Sequence, residues 1–148
     1  MKFIEQLKER AKQNKKKIVL PETSDMRTIE AAGKVLAEGI ADIILVGDKE
    51  DIISRAGDID LRRASFVDPE NYDKFDEYVD AFVEMRRKKG MTPARAKELL
   101  LTNPLYFGCM MVKQDDADGM VAGAINASAD VLRAALQTLK TAPGTRIV

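Results

Sequence analysis

The chain has 148 residues, 45% of them hydrophobic and 32% charged, with 24 lysines and arginines balancing 24 aspartates and glutamates. That is the size and composition of one soluble globular domain, and zero net charge argues against a general nucleic-acid binder, which needs a basic excess to neutralise phosphates. The absence of histidine excludes Ser-His-Asp and Cys-His catalysis and histidine-bearing zinc sites, and a single cysteine, Cys109, excludes an intrachain disulfide or a Cys-x-x-Cys metal pair. No metal site is expected. No apolar run approaches the ~18 residues of a membrane-spanning helix. The first ten residues mix acids and bases and lack the apolar core of a signal peptide, so the reading is cytoplasmic.

Along the chain, Phe3, Ile4, Leu7 and Ala11 recur at helical spacing over residues 2–14. Lys17-Ile18-Val19-Leu20-Pro21 reads as a short buried strand stopped by proline. Thr23 or Ser24 is the expected N-cap of the next helix, with Asp25 in its first turn, an apolar face of Ile29, Ala32, Val35 and Leu36, and Gly39 at its end. Ala41 to Gly47 is a second buried strand, Asp48 caps a short helix to about Arg55, and Ala64 to Val67 form a third strand. Residues 71–89 read as one long helix. Thr92-Pro93 and Asn103-Pro104 open two more, ending near Leu101 and at Lys113. Asp118 to Gly123 predict a strand running into a loop, and residues 128–140 a last amphipathic helix. Pro143-Gly144 turns the chain, and Thr145 to Val148 start another strand.

Short buried strands alternating with helices predict a three-layer α/β/α domain with a mostly parallel sheet. The chain stops within the last predicted strand, so the sheet is expected to be incomplete at the C-terminus.

Ligands of parallel α/β sheets bind beyond the C-terminal strand ends, at helix N-termini. Three loops qualify: 21–27, 47–48 and 119–128. In the third, Gly123 lets the backbone approach a ligand, and Asn126 and Ser128 can cap a helix whose free N–H groups attract an anion. A glycine turn with an ordinary helix cap explains the same residues equally well. Arg133 lies early in that helix, where a cation opposes the macrodipole unless an anion is near. Arg86 continues the apolar stripe Tyr72, Phe75, Val79 and Phe82, so it must meet a carboxylate or border a cleft. A guanidinium fork suits phosphate, which makes Arg86 and Arg133 the candidate phosphate-binding pair. Cys109, in the apolar run 105–112, reads as a core thiol. Glu22, Asp25 and Asp118 are possible general bases, and nothing singles one out.

Three segments carry a likeness to a known family: Ile18-Val19-Leu20-Pro21-Glu22-Thr23 with Asp25 and Arg27; Gly39 to Gly47; and Asp118-Gly119-Met120-Val121-Ala122-Gly123-Ala124 with Asn126, Ser128, Asp130 and Arg133, closing at Lys140-Thr141-Ala142-Pro143-Gly144. In these the chain resembles, in order and over essentially its whole length, the phosphate acetyl/butyryl transferase family. The resemblance implies reversible acetyl transfer between coenzyme A and inorganic phosphate, without a cofactor beyond the coenzyme A substrate. It implies a two-domain enzyme with its site in the interdomain cleft, a homodimer at full length, and Arg86 and Arg133 in that cleft. It further implies that this chain corresponds to the N-terminal domain of a much longer protein, and that the groups that activate the CoA thiol, a serine and an aspartate, fall in the portion not represented here, together with a further arginine and the end of the chain that completes the first domain. The expectation is a chain inactive alone. The alternatives are a stand-alone phosphate- or CoA-binding module without turnover, and a butyryl-specific relative.

Overall fold

The computed structural model describes residues 2–146, which form a four-stranded, all-parallel sheet covered by helices on both faces. The elements are α1 (Phe3–Gln13), β1 (Lys17–Leu20), α2 (Met26–Glu38), β2 (Asp42–Val46), α3 (Lys49–Ala56), β3 (Ser65–Val67), α4 (Phe75–Arg86), α5 (Pro93–Thr102), α6 (Pro104–Lys113), β4 (Gly119–Met120) and α7 (Ser128–Thr138). The strand order is β3-β2-β1-β4, with Val19 in register with Ile44 on one side and Met120 on the other. This is the predicted α/β/α class.

Alternation along the strands divides the core in two. Val19, Ile44 and Val46 pack under α4, α5, α6 and α7 with Phe82, Phe107 and Met110. Leu20, Ile43 and Leu45 face α2 and α3 with Ile29, Leu36 and Ile52. Successive strand side chains point to opposite faces, so a strand buried on both sides is apolar throughout. Gly108 marks the closest approach of α6 to the sheet: a Cβ there would lie 2.8 Å from Met120 Sδ and 3.4 Å from Pro21 Cβ.

Several expectations are corrected. The α2 N-cap is Asp25, whose carboxylate accepts from Arg27 N, rather than Thr23 or Ser24. Thr23 instead donates to Val46 O at 2.6 Å, tying the ends of β1 and β2. The apolar side of α1 is not covered: the helix has no buried residue, and Phe3 and Ile4 are 71% and 60% exposed. The long segment 71–89 is broken. A 3-10 turn at Pro69–Asn71 is capped by Asp68, Tyr72 is extended, α4 follows, and a second 3-10 turn covers Arg87–Lys89. Tyr72 leaves the helix because its ring packs edge-on against Tyr78 and Phe107, 5.3 and 5.7 Å between centroids. The strand predicted over Asp118–Gly123 keeps only Gly119 and Met120 in the ladder. Thr145 and Arg146 are not in a strand, and Ile147 and Val148 lie outside the described residues.

Away from the C-terminal strand ends, one polar knot pins α4 to the α6–β4 connection. The Tyr78 side chain is fully buried and its hydroxyl donates to Asp116, whose other oxygen accepts from Lys74 Nζ. Burial opposes the charge on Asp116, but the bonds from Lys74 and Tyr78 outweigh it and hold the carboxyl below its ordinary range. A depressed carboxylate contributes stability that is complete above its unfolded pKa of about 3.9 and is lost as pH falls through the lower folded value. Asp116→Asn is therefore expected to cost about 1–3 kcal/mol at neutral pH and to flatten the loss of stability below about pH 4. Denaturant melts of both proteins at stepped pH check this; an unchanged acid slope contradicts it.

Candidate functional site

Chain order sends β2 and β3 to one side of β1 and β4 to the other, so the topological switch point lies between the C-terminal ends of β1 and β4. Parallel α/β sheets open a ligand crevice there. In this chain the crevice is closed by its own side chain. Glu22, two residues past β1 and 4% exposed, reaches across to the loop after β4. Its Oε1 accepts from the N–H groups of Gly123 (2.6 Å) and Ala124 (2.9 Å), and its Oε2 from Ile125 N (2.8 Å), Asn126 N (2.9 Å) and Asn126 Nδ2 (3.0 Å). Gly123 has φ +117°, which a side chain rarely tolerates and which turns its N–H to the carboxylate. Burial works against the charge, yet the bonds from Asn126, Ile125 and Ala124 bring the Glu22 carboxyl down to about 2.

The expected anion-binding loop thus exists, but its donors are taken by Glu22. Asn126 is spent on the same carboxylate instead of capping a helix, and Ser128 is the first residue of α7 behind an N-cap, Ala127, that offers no side-chain bond. Arg27 completes the arrangement: its Nη2 donates to Ala124 O at 2.7 Å and to Asp25 Oδ2 at 2.6 Å. The neighbouring cleft at the ends of β1, β2 and β3, about 600 Å³, is lined by Glu22, Asp48, Asp68 and Glu70 and by no lysine or arginine. Such a rim repels phosphate. None of the three possible bases is free. Glu22 holds the loop, Asp25 holds Arg27, and Asp118 accepts from Lys17 N at 2.8 Å.

The two arginines lie on a different face. Arg86 ends α4, beyond buried Val79 and Phe82, as the stripe requires. Its Nε is buried and has no hydrogen-bond partner, and no carboxylate among the described residues lies within ion-pair distance of it. Arg133 is exposed on α7 and pairs with Asp130 at 2.7 Å, one turn earlier on the same helix. That acid, rather than an external anion, offsets the cation near the helix start. Tyr106 of α6 feels the charge of both. Burial raises its hydroxyl pKa, and the positive charges of Arg133 and Arg86 act against that rise. The hydroxyl donates to Gln137 Oε1 at 2.9 Å. Sequence reasoning missed Tyr106 and Gln137, the first inside an apolar run and the second on a surface-like helix position. Cys109 is fully buried, as expected of a core thiol. The described residues contain no cluster of ligating side chains suited to a metal ion.

Fold and site together define a parallel α/β domain whose switch-point loop is held by a buried carboxylate. The profile of the family described as phosphate acetyl/butaryl transferase matches residues 2–148, and the chain belongs to that family. It is 51% identical over 148 residues to the phosphate acetyltransferase of Thermoanaerobacterium thermosaccharolyticum, covering all of this chain and 45% of that protein, and equally identical to the Acetivibrio thermocellus phosphate acetyltransferase, of which it covers 44%. A phosphotransacetylase crystal structure from Streptococcus pyogenes superposes on 99% of the chain with a TM-score of 0.88 at 36% identity, the match covering 46% of that chain. The EutD phosphotransacetylase from Staphylococcus aureus gives 0.84 at 37% identity, over 95% of this chain and 43% of its own. The chain spans less than half the length of these relatives.

The thiol of Cys109 is raised by burial, so it is neither accessible nor ionised at neutral pH. An aromatic disulfide reagent should leave the folded protein unmodified for hours and label one thiol at once in denaturant. Fast labelling without denaturant would show the α6 packing to be wrong.

Proposed function

We propose that this chain supplies the phosphate-binding part of an acetyltransferase that moves an acetyl group reversibly between coenzyme A and inorganic phosphate. The observation that carries this reading is Arg86: a guanidinium at the end of a buried helix face, its Nε buried and without an acceptor. An orphaned buried donor is costly, and an anion entering between the two arginines satisfies it. The family and the names of the relatives support acetyl phosphate and phosphate as the ligands, and support acetyl over butyryl as the acyl group.

In the synthesis of acetyl-CoA the thiolate attacks the carbonyl carbon of acetyl phosphate. A tetrahedral oxyanion forms, the carbon–oxygen bond to the phosphate breaks, and phosphate leaves with the bonding pair. Arg86 and Arg133 bind the phosphoryl oxygens and stabilise the charge that grows on them as the bond breaks. The base that takes the thiol proton is assigned outside this chain, because Glu22, Asp25 and Asp118 are all engaged. Residues 1–148 are therefore read as one α/β domain of a two-domain enzyme, with the homodimer and a cytoplasmic location belonging to the complete protein. Among the described residues no helix is long and apolar enough to cross a membrane. The same engaged carboxylates favour a second reading for the isolated chain, a phosphate- and CoA-binding module without turnover.

Calorimetric or NMR titration of the chain with phosphate is expected to give binding in the millimolar range, on the order of −4 kcal/mol. Arg86→Ala and Arg133→Ala should each weaken it by about tenfold or more, since each charge-assisted bond contributes roughly 1.5–3 kcal/mol. The isolated chain should show no acetyl phosphate turnover at an ordinary rate of about 1 per second or above. Two variants that titrate like the wild type would remove the arginine assignment.

A further inference from the structure

We infer that Glu22 is a positioning residue: an internal anion that shapes the loop 123–126 and thereby sets where α7 presents Arg133. The inference rests on the reading of Arg86 and Arg133 as the phosphate-binding pair, and it adds a residue that lies on neither of their helices.

The loop has almost nothing else to hold it. Val121 and Ile125 are 63% and 54% exposed, and a Cβ built on Gly123 would meet nothing within 4 Å. Val121 N still donates to Val19 O and Ala122 is half-buried against the core, but beyond them, from Gly123 to Asn126, no apolar side chain is buried and among the described residues the hydrogen bonds run to Glu22 and Arg27. Four consecutive N–H groups and the Asn126 amide converge on the two oxygens of one carboxylate. Such a concave run of amides is the arrangement that binds free anions at helix starts and glycine-rich loops. Here the anion is covalently part of β1's own extension and is never exchanged for solvent.

The loop leads directly into α7, whose N-cap, Ala127, brings no side-chain bond of its own. Ala134 and Thr138, further along, are buried against the domain and fix the far half of the helix. In the near half, which carries Asp130 and Arg133, only Val131 is half-buried against the core, and the first turn takes its position from the loop. Removing the carboxylate leaves five donors facing an empty pocket, and the start of α7 loses its reference point. Glutamine is not an equivalent: its amide NH₂ would face two of the loop N–H groups, donor against donor. The low pKa, about 2, keeps the charge in place throughout the physiological range.

The experiment uses the whole 148-residue chain and nitrogen-edited NMR, with inorganic phosphate and formate as probes. In the wild type the amides of Gly123 to Asn126 should be indifferent to formate, and phosphate should move the Arg86 and Arg133 side-chain signals. In Glu22→Ala the four amides and the Arg133 side-chain signals should shift, and phosphate affinity read at the two arginines should fall about tenfold. Formate at tens of millimolar, a carboxylate that fits the vacated pocket, should return both towards wild type. In Arg86→Ala the affinity should fall with no response to formate. Glu22→Gln keeps the side-chain volume and covers the event that the alanine variant does not fold; its affinity should fall and formate should not restore it, because the pocket is filled. Wild-type affinity in both Glu22 variants, or loop amides restored by formate with no recovery at Arg133, overturns the inference. If phosphate moves neither arginine in the wild type, the phosphate reading fails instead. Glu22 is then judged by the Arg133 signals alone: if they shift in Glu22→Ala and return with formate, it stands as the residue that places α7; if they do not, it falls too.

Discussion

One carboxylate joins the two sides of the sheet's switch point. β1 and β4 are adjacent strands separated by about a hundred residues, and the ladder between them is only two residues long. Beyond that ladder the backbone of the second strand peels away, and its N–H groups find the Glu22 oxygens in place of another strand. A strand that leaves its ladder must find other partners for its polar groups, and the short edge strand, the turn at Gly123 and the entry into α7 all follow from that substitution. Arg27 handles the opposite polarity by binding the Ala124 carbonyl, so both signs of the loop's dipoles are satisfied from one short stretch after β1.

Much of the frame was legible because it is written in short-range chemistry. Apolar, β-branched runs marked β1 and β2, and their burial on two faces explains why the runs are continuous rather than alternating. Asp48, Thr92 and Asn103 cap as their sequence positions predict, each carboxylate, hydroxyl or amide accepting from an N–H two or three residues on. Arg86 was legible too, since a charge that continues an apolar stripe is conspicuous in a helical register. The exposed face of α1 shows the limit of that logic: periodicity establishes a helix and says nothing about whether the apolar side has a partner.

What escaped the sequence depends on distance along the chain. The partners of Glu22 are 101 to 104 residues away, and no local pattern distinguishes it from Asp25 or Asp118. Tyr106 looked like one more apolar residue of α6 until α4 and α7 brought arginines to it. For Arg133 the neighbour that matters is local. Asp130 stands three residues earlier, on the same face, and answers the helix-dipole argument without any ligand.

The carboxylate-rimmed cleft has a consequence for traffic. The molecule is neutral as a whole, so no long-range attraction draws an anion to it. At physiological ionic strength fields fade over about 8 Å, and a small anion diffusing over the surface senses only the nearest rim. Beside Glu22, Asp48, Asp68 and Glu70 it is turned back. The opening at the strand ends, where geometry would admit it, is therefore a poor place for an anion to linger. Local repulsion of this kind discourages anions at one opening without changing the overall rate of encounter, and it weakens as salt is added.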